Sequence, residues 1–87
     1  MIARKITYKG KFSQQSIGEM YDITRKTEIT GLVKAEGALE VVLTLEGDAS
    51  MIKLIQHQIE RKVKLEITDK LVEPIPFHNY IGVTFLT

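Results

Sequence analysis

Few residues in this chain could do chemistry, and they gather near its start. Lys9, Lys11, Ser13 and Ser16 lie close together around Gly10. Ammonium groups, hydroxyls and the unpaired N–H groups of a helix start are the donors that hold a phosphate or a carboxylate. Gly10, Lys11, Ser13 and Ser16 are therefore the candidate anion-binding residues, with simple capping by serine as the plainer role for the same segment. His57 and His78 are the only histidines. Neither has a carboxylate or serine at a spacing suited to general-base work, so both read as surface residues. With no cysteine, thiol nucleophiles, disulfides and thiolate metal sites are excluded. No catalytic residue, metal set or cofactor is implied.

Positioning such a loop needs a folded core, and the composition allows one. The chain has 87 residues, 44% of them hydrophobic and 26% charged, inside the soluble globular range. The expectation is a single domain spanning 1–87. The formal net charge of +1 gives no long-range field that would favour nucleic acid or a membrane surface. Arg4 and Lys5 stand where a secretory signal needs apolar residues, and no run of about 18 apolar residues occurs. No membrane association is expected, and a cytoplasmic location is.

Periodicity supplies the elements. Ile2, Ile6 and Tyr8 alternate with Ala3, Lys5, Thr7 and Lys9 as in a half-buried strand, interrupted by Arg4. Ser16 to Glu19 matches a capping box, and Ile17, Met20, Tyr21 and Thr24 recur at helical spacing to about Thr27. Ile29 to Lys34 and Leu39 to Leu45 alternate around Glu36-Gly37, a hairpin signal. Gly47-Asp48 stops the strand and caps a second helix with Ile52, Ile55 and Ile59 as its stripe. Leu65, Ile67 and Leu71 predict a fourth strand with a charged outer face, ended by Pro74 and Pro76. Tyr80 to Leu86 predicts a fifth, with Ile81, Val83 and Phe85 on one side. The fold class is an α/β sandwich of ferredoxin-like β-α-β-β-α-β order with an added C-terminal strand, two helices covering one sheet face.

Gly31-Leu32-Val33 followed by Glu46-Gly47 and a helix resembles the acylphosphatase family, and the likeness spans nearly the whole chain. Acylphosphatases hydrolyse carboxyl-phosphate anhydrides. An arginine and loop N–H groups hold the phosphate, and an asparagine on the second strand orients the water. Counted from Gly31, the arginine position falls on Ile17 and the asparagine position on Ala35. Neither can replace a planar charged fork or a polar amide. The family's glycine-bearing loop is here Lys11-Phe12-Ser13-Gln14. The resemblance thus implies the fold without its activity: a non-catalytic acylphosphatase-like module for protein interaction or small-anion binding. A divergent hydrolase using lysine in place of the arginine is the alternative.

A second resemblance, to the flavin-binding BLUF photoreceptors, rests on Ile29-Thr30-Gly31-Leu32, Leu45-Glu46-Gly47 and Tyr8. Their expected glutamine is here Leu43, and the first helix has no asparagine, so no flavin is assigned.

Lys5, Thr7 and Lys9 would suit an RNA-binding sheet only with interleaved aromatics. The neighbouring strand offers Ala38, Glu40, Val42 and Thr44 instead, so nucleic-acid binding is not expected. Thr30, Leu32, Val42 and Leu86 should share the helix-free face and gather into an interaction surface. Self-association or an unknown protein partner is expected there.

Overall fold

The computed structural model describes all 87 residues. Strands β1 (Ile2–Gly10), β2 (Thr30–Glu36), β3 (Glu40–Gly47), β4 (Ile67–Pro74) and β5 (Val83–Leu86) form one sheet, and helices α1 (Gln14–Arg25) and α2 (Ala49–Lys62) cover one of its faces. The order across the sheet is β4-β1-β3-β2-β5. β1 pairs antiparallel with β3 and β4, β2 antiparallel with β3, and β2 parallel with β5. Because β3 lies between β1 and β2, this is the split β-α-β arrangement expected, with β5 as the added strand.

Alternation decides the faces. Ile6, Tyr8, Val33, Val41, Leu43 and Leu45 face the helices and meet Ile17 and Met20 of α1 and Ile52, Ile55 and Ile59 of α2 in one buried cluster. Each such aliphatic side chain contributes about 1.5–3 kcal/mol through burial. Thr24, also fully buried, satisfies its hydroxyl by donating to the Met20 carbonyl at 2.8 Å.

Several expectations are corrected. α1 begins at Gln14 with Ser13 as N-cap, because Ser13 is extended and its hydroxyl accepts from the Ser16 N–H at 3.1 Å; Ser16 is not the cap. Asp48 occupies the N-cap of α2, but its carboxylate makes no capping bond. Leu39 lies in the hairpin turn and is exposed. Leu65 sits in a 3-10 turn, Lys64–Glu66, and is 98% exposed. The fourth strand starts only at Ile67, and a register shift at Lys9/Gly10 makes Thr68 an extra residue there. That bulge inverts the alternation. Lys70, opposite Tyr8, takes the helix side, and Leu71, opposite Thr7, is turned to the open face. The last strand is cut to Val83–Leu86, and Ile81 is 96% exposed.

β4 and β5 occupy opposite edges, so residues 75–82 must cross the whole end of the sheet. The crossing is tied down at three strands. The Ile75 N–H donates to the Ala3 carbonyl at 3.3 Å, and the Gly31 N–H donates to the Gly82 carbonyl at 2.9 Å. Between them Glu46 accepts from the backbone N–H groups of His78, of Asn79 at 3.2 Å and of Tyr80 at 3.0 Å. Glu46 belongs to the helix-free face yet is only 3% exposed, because this segment lies over it. Burial opposes its ionisation, but the three N–H donors outweigh that and hold its carboxyl below the ordinary value.

Candidate binding site

The loop between β1 and α1 is built by close backbone approach. A side chain at Gly10 would place its first carbon 1.8 Å from the Glu66 carbonyl oxygen, so only glycine lets the chain pass there. The Gly10, Lys11 and Phe12 N–H groups donate to the carbonyls of Leu39, Glu66 and Ala38 at 3.0, 3.1 and 2.8 Å. The Ser13 N–H donates to Glu66 Oε1 at 2.9 Å, and the Ser16 hydroxyl donates to Glu66 Oε2. Ser13 Oγ donates in turn to Ser16 Oγ at 3.0 Å.

Two of the four residues singled out for anion binding, Ser13 and Ser16, thus bond the side chain of Glu66. Its carboxylate stands at the start of α1, where N–H groups and the helix dipole favour negative charge. The Ser16 hydroxyl and the Ser13 N–H keep its pKa below the ordinary value, against a smaller opposing effect of burial. Lys11 is exposed and forms no ion pair. The loop therefore already holds an anion, supplied by the chain fifty-three residues beyond Ser13. Its sequence position concealed this: read as a strand, 64–70 puts Glu66 on a solvated face, whereas the 3-10 turn aims it at Ser13 and Ser16.

Beside this loop lies a cleft of about 490 Å³ between α1, β2 and β5. Ile17 of α1 and Ala35 of β2 both line it, with Phe12, Ala38 and Phe85. The Phe85 ring lies against Tyr21, with centroids 5.3 Å apart. Sheet order brings the two positions to one place although they are far apart in sequence. What they present is apolar: Ile17 and Ala35 are both buried. At the other end of β2 the strand passes close to β3 because Gly31 has no side chain; a first carbon there would stand 2.0 Å from the Thr44 carbonyl oxygen.

Tyr8, Glu60 and Lys70 form a second polar cluster. Tyr8 donates to Glu60 Oε2 at 2.9 Å, and Lys70 Nζ reaches both Glu60 oxygens at 3.1 Å. Burial first, then this bond to a carboxylate, pushes the Tyr8 pKa upward. His57 is exposed on α2, and His78 stacks on Tyr80 with centroids 4.5 Å apart.

On the helix-free face, Val42 lies opposite Thr7 and Lys34, Leu32 opposite Thr44 and Thr84, and Leu86 opposite Lys34. Leu32, Val42 and Leu86 thus occupy three neighbouring strands on one face, with Lys34 set between Val42 and Leu86. Thr30 lies opposite Glu46, toward the end crossed by residues 75–82. No helix is long and apolar enough to cross a membrane.

No protein-family model and no curated protein sequence matches the chain. Solved structures do. An acylphosphatase from Bacillus subtilis superposes with a TM-score of 0.77 at 14% identity, over 100% of both chains. The HypF structure of T. kodakarensis matches with a TM-score of 0.78 at 20% identity, over 100% of this chain and 12% of that one. A BLUF domain matches with a TM-score of 0.59 at 13% identity, over 99% of this chain and 65% of that one. The chain has an acylphosphatase-like fold.

Proposed function

We propose that this chain is a non-catalytic acylphosphatase-like module that works by protein interaction. The observation that carries this reading is the pair Ile17 and Ala35, which line one apolar cleft. Hydrolysis of an acyl phosphate needs a charged group on the phosphate and a polar group on the attacking water. Loss of one preorganised stabiliser typically costs about 10²–10³ in rate, and here both positions are aliphatic. Glu66 favours protein interaction over small-anion binding, since an anion entering the loop would meet a carboxylate already bonded to Ser13 and Ser16. The surface assigned to the interaction is the helix-free face around Leu32, Val42 and Leu86, serving self-association or a protein partner.

The test is direct. Purified protein should hydrolyse acetyl phosphate no faster than buffer, and a saturable rate lost in Lys11→Ala would overturn the reading. Val42 is half-buried on the open face, where a lysine can send its ammonium group to water. Val42→Lys should therefore keep the wild-type melting temperature and weaken association in sedimentation. A loss of stability instead would make Val42 a packing residue.

A further inference from the structure

The outer side of α2 carries an unbalanced charge. Residues 49–65 contain Lys53, Arg61, Lys62 and Lys64 against one carboxylate, Glu60. Glu60 is already engaged by Lys70 and Tyr8. None of these four cations joins the three ion pairs of the protein, Arg25–Asp22, Lys34–Glu36 and Lys70–Glu60; Arg61 and Lys62 share a cleft with Glu19 and Asp22 of α1, while Lys53 and Lys64 lie outside it. Elsewhere the sheet's open face interleaves its signs: Lys9 lies opposite Asp69 and Glu40, and Lys5 opposite Glu73.

Spacing gives this surface a direction. Ile52, Ile55 and Ile59 face the core, so Lys53, His57 and Arg61, stepped by four residues, run along the exposed side. Each step advances about 6 Å along the axis. Leu54, 44% exposed, stands within the charged row, and Leu65 is exposed in the 3-10 turn that follows α2.

From this geometry we infer that the outer face of α2 is a docking surface for an acidic, leucine-bearing polypeptide segment. The argument is charge complementarity combined with the apolar positions. Carboxylates at four-residue intervals on a partner helix repeat at the same ~6 Å as Lys53, His57 and Arg61, and the leucines give its apolar residues a seat. A nucleic-acid strand offers phosphates but nothing for Leu54 and Leu65, and apart from the single imidazole of His57 the face has no aromatic ring on which a base could stack. This surface is separate from the sheet face and stands whether or not the apolar cleft is catalytically inert.

The test uses a fluorescein-labelled helical peptide with glutamates and leucines at four-residue spacing, titrated by fluorescence anisotropy against the full chain. Single-stranded oligonucleotide and vesicles containing anionic phospholipid are run in parallel. The expected result is peptide binding weakened about tenfold or more by Lys53→Glu/Arg61→Glu, by Leu54→Ala to a smaller degree, and by raising salt from about 0.05 to 0.3 M. All replaced side chains are exposed, so circular dichroism melts should match the wild type. Backbone amide shifts on peptide addition should map to residues 50–65. Absence of peptide binding, binding indifferent to these variants, or tighter binding of the oligonucleotide or the vesicles would overturn the inference.

Discussion

Replacing Glu46 should release the segment that carries the chain from one edge of the sheet to the other. Its carboxylate, 3% exposed, collects the N–H groups of His78, Asn79 and Tyr80. A hydrogen bond to a charged group contributes about 1.5–3 kcal/mol, and bonds that share one acceptor do not add. His78 and Asn79 are exposed enough for their N–H groups to turn to water once the acceptor is gone. Glu46→Ala should therefore cost about 2–3 kcal/mol, lowering the melting temperature by roughly 10–20 °C for a domain of this size. Glu46→Gln keeps the shape and one carbonyl acceptor and should cost about half as much. The pKa of Glu46 is lowered in the folded state. Its contribution is thus fully present above the ordinary carboxylate pKa and is lost as pH falls through the lowered value. The melting gap between wild type and Glu46→Gln should be constant from neutral pH down to the ordinary carboxylate range, then close on further acidification. Hydrogen exchange should speed at His78, Asn79 and Tyr80 and in β5, whose pairing with β2 depends on where this segment delivers it. A Glu46→Ala protein that melts within a degree of wild type, or a gap that widens in acid, would refute the account.

Three further residues, Gly10, Tyr8 and Ser13, carry testable consequences of the same geometry. Gly10→Ala must move the backbone at Glu66 away from a contact of 1.8 Å and should cost about 3 kcal/mol or more, read by denaturant unfolding. Tyr8→Phe removes the bond to Glu60 and should cost about 1 kcal/mol. In the wild type, ultraviolet titration should show Tyr8 still protonated where free tyrosine ionises, and stability should fall above that pH because only the unfolded chain then loses the proton. Ser13→Ala deletes the N-cap of α1 and should lower stability by about 1 kcal/mol in the same unfolding assay.

What the sequence determined by itself is the set of local patterns with one dominant cause. The stripe Ile52, Ile55 and Ile59 could only be the buried side of a helix, and the alternation of β1 and β3 placed Ile6, Tyr8, Leu43 and Leu45 inward. Those patterns sufficed for the element order, the core and the split β-α-β fold, because burial of one face is a local property of spacing. Where two causes compete, tertiary structure decided. Leu71 has the spacing of a core residue, but the bulge against Lys9 and Gly10 inverted the parity of β4 and turned it out. Ile81 has the same apparent claim, yet the end-crossing segment ends at Gly82 and only four residues reach β2. The loop after β1 was legible as a list of candidate donors, Gly10, Lys11, Ser13 and Ser16, but the carboxylate bonded to Ser13 and Ser16 was not. Nothing near them in sequence announces it. Glu66 reads as an ordinary strand glutamate and Glu46 as the residue before a strand-ending glycine, yet each is defined by N–H groups more than thirty residues away. A carboxylate's role follows from the donors that surround it, and those are assembled only when the sheet closes.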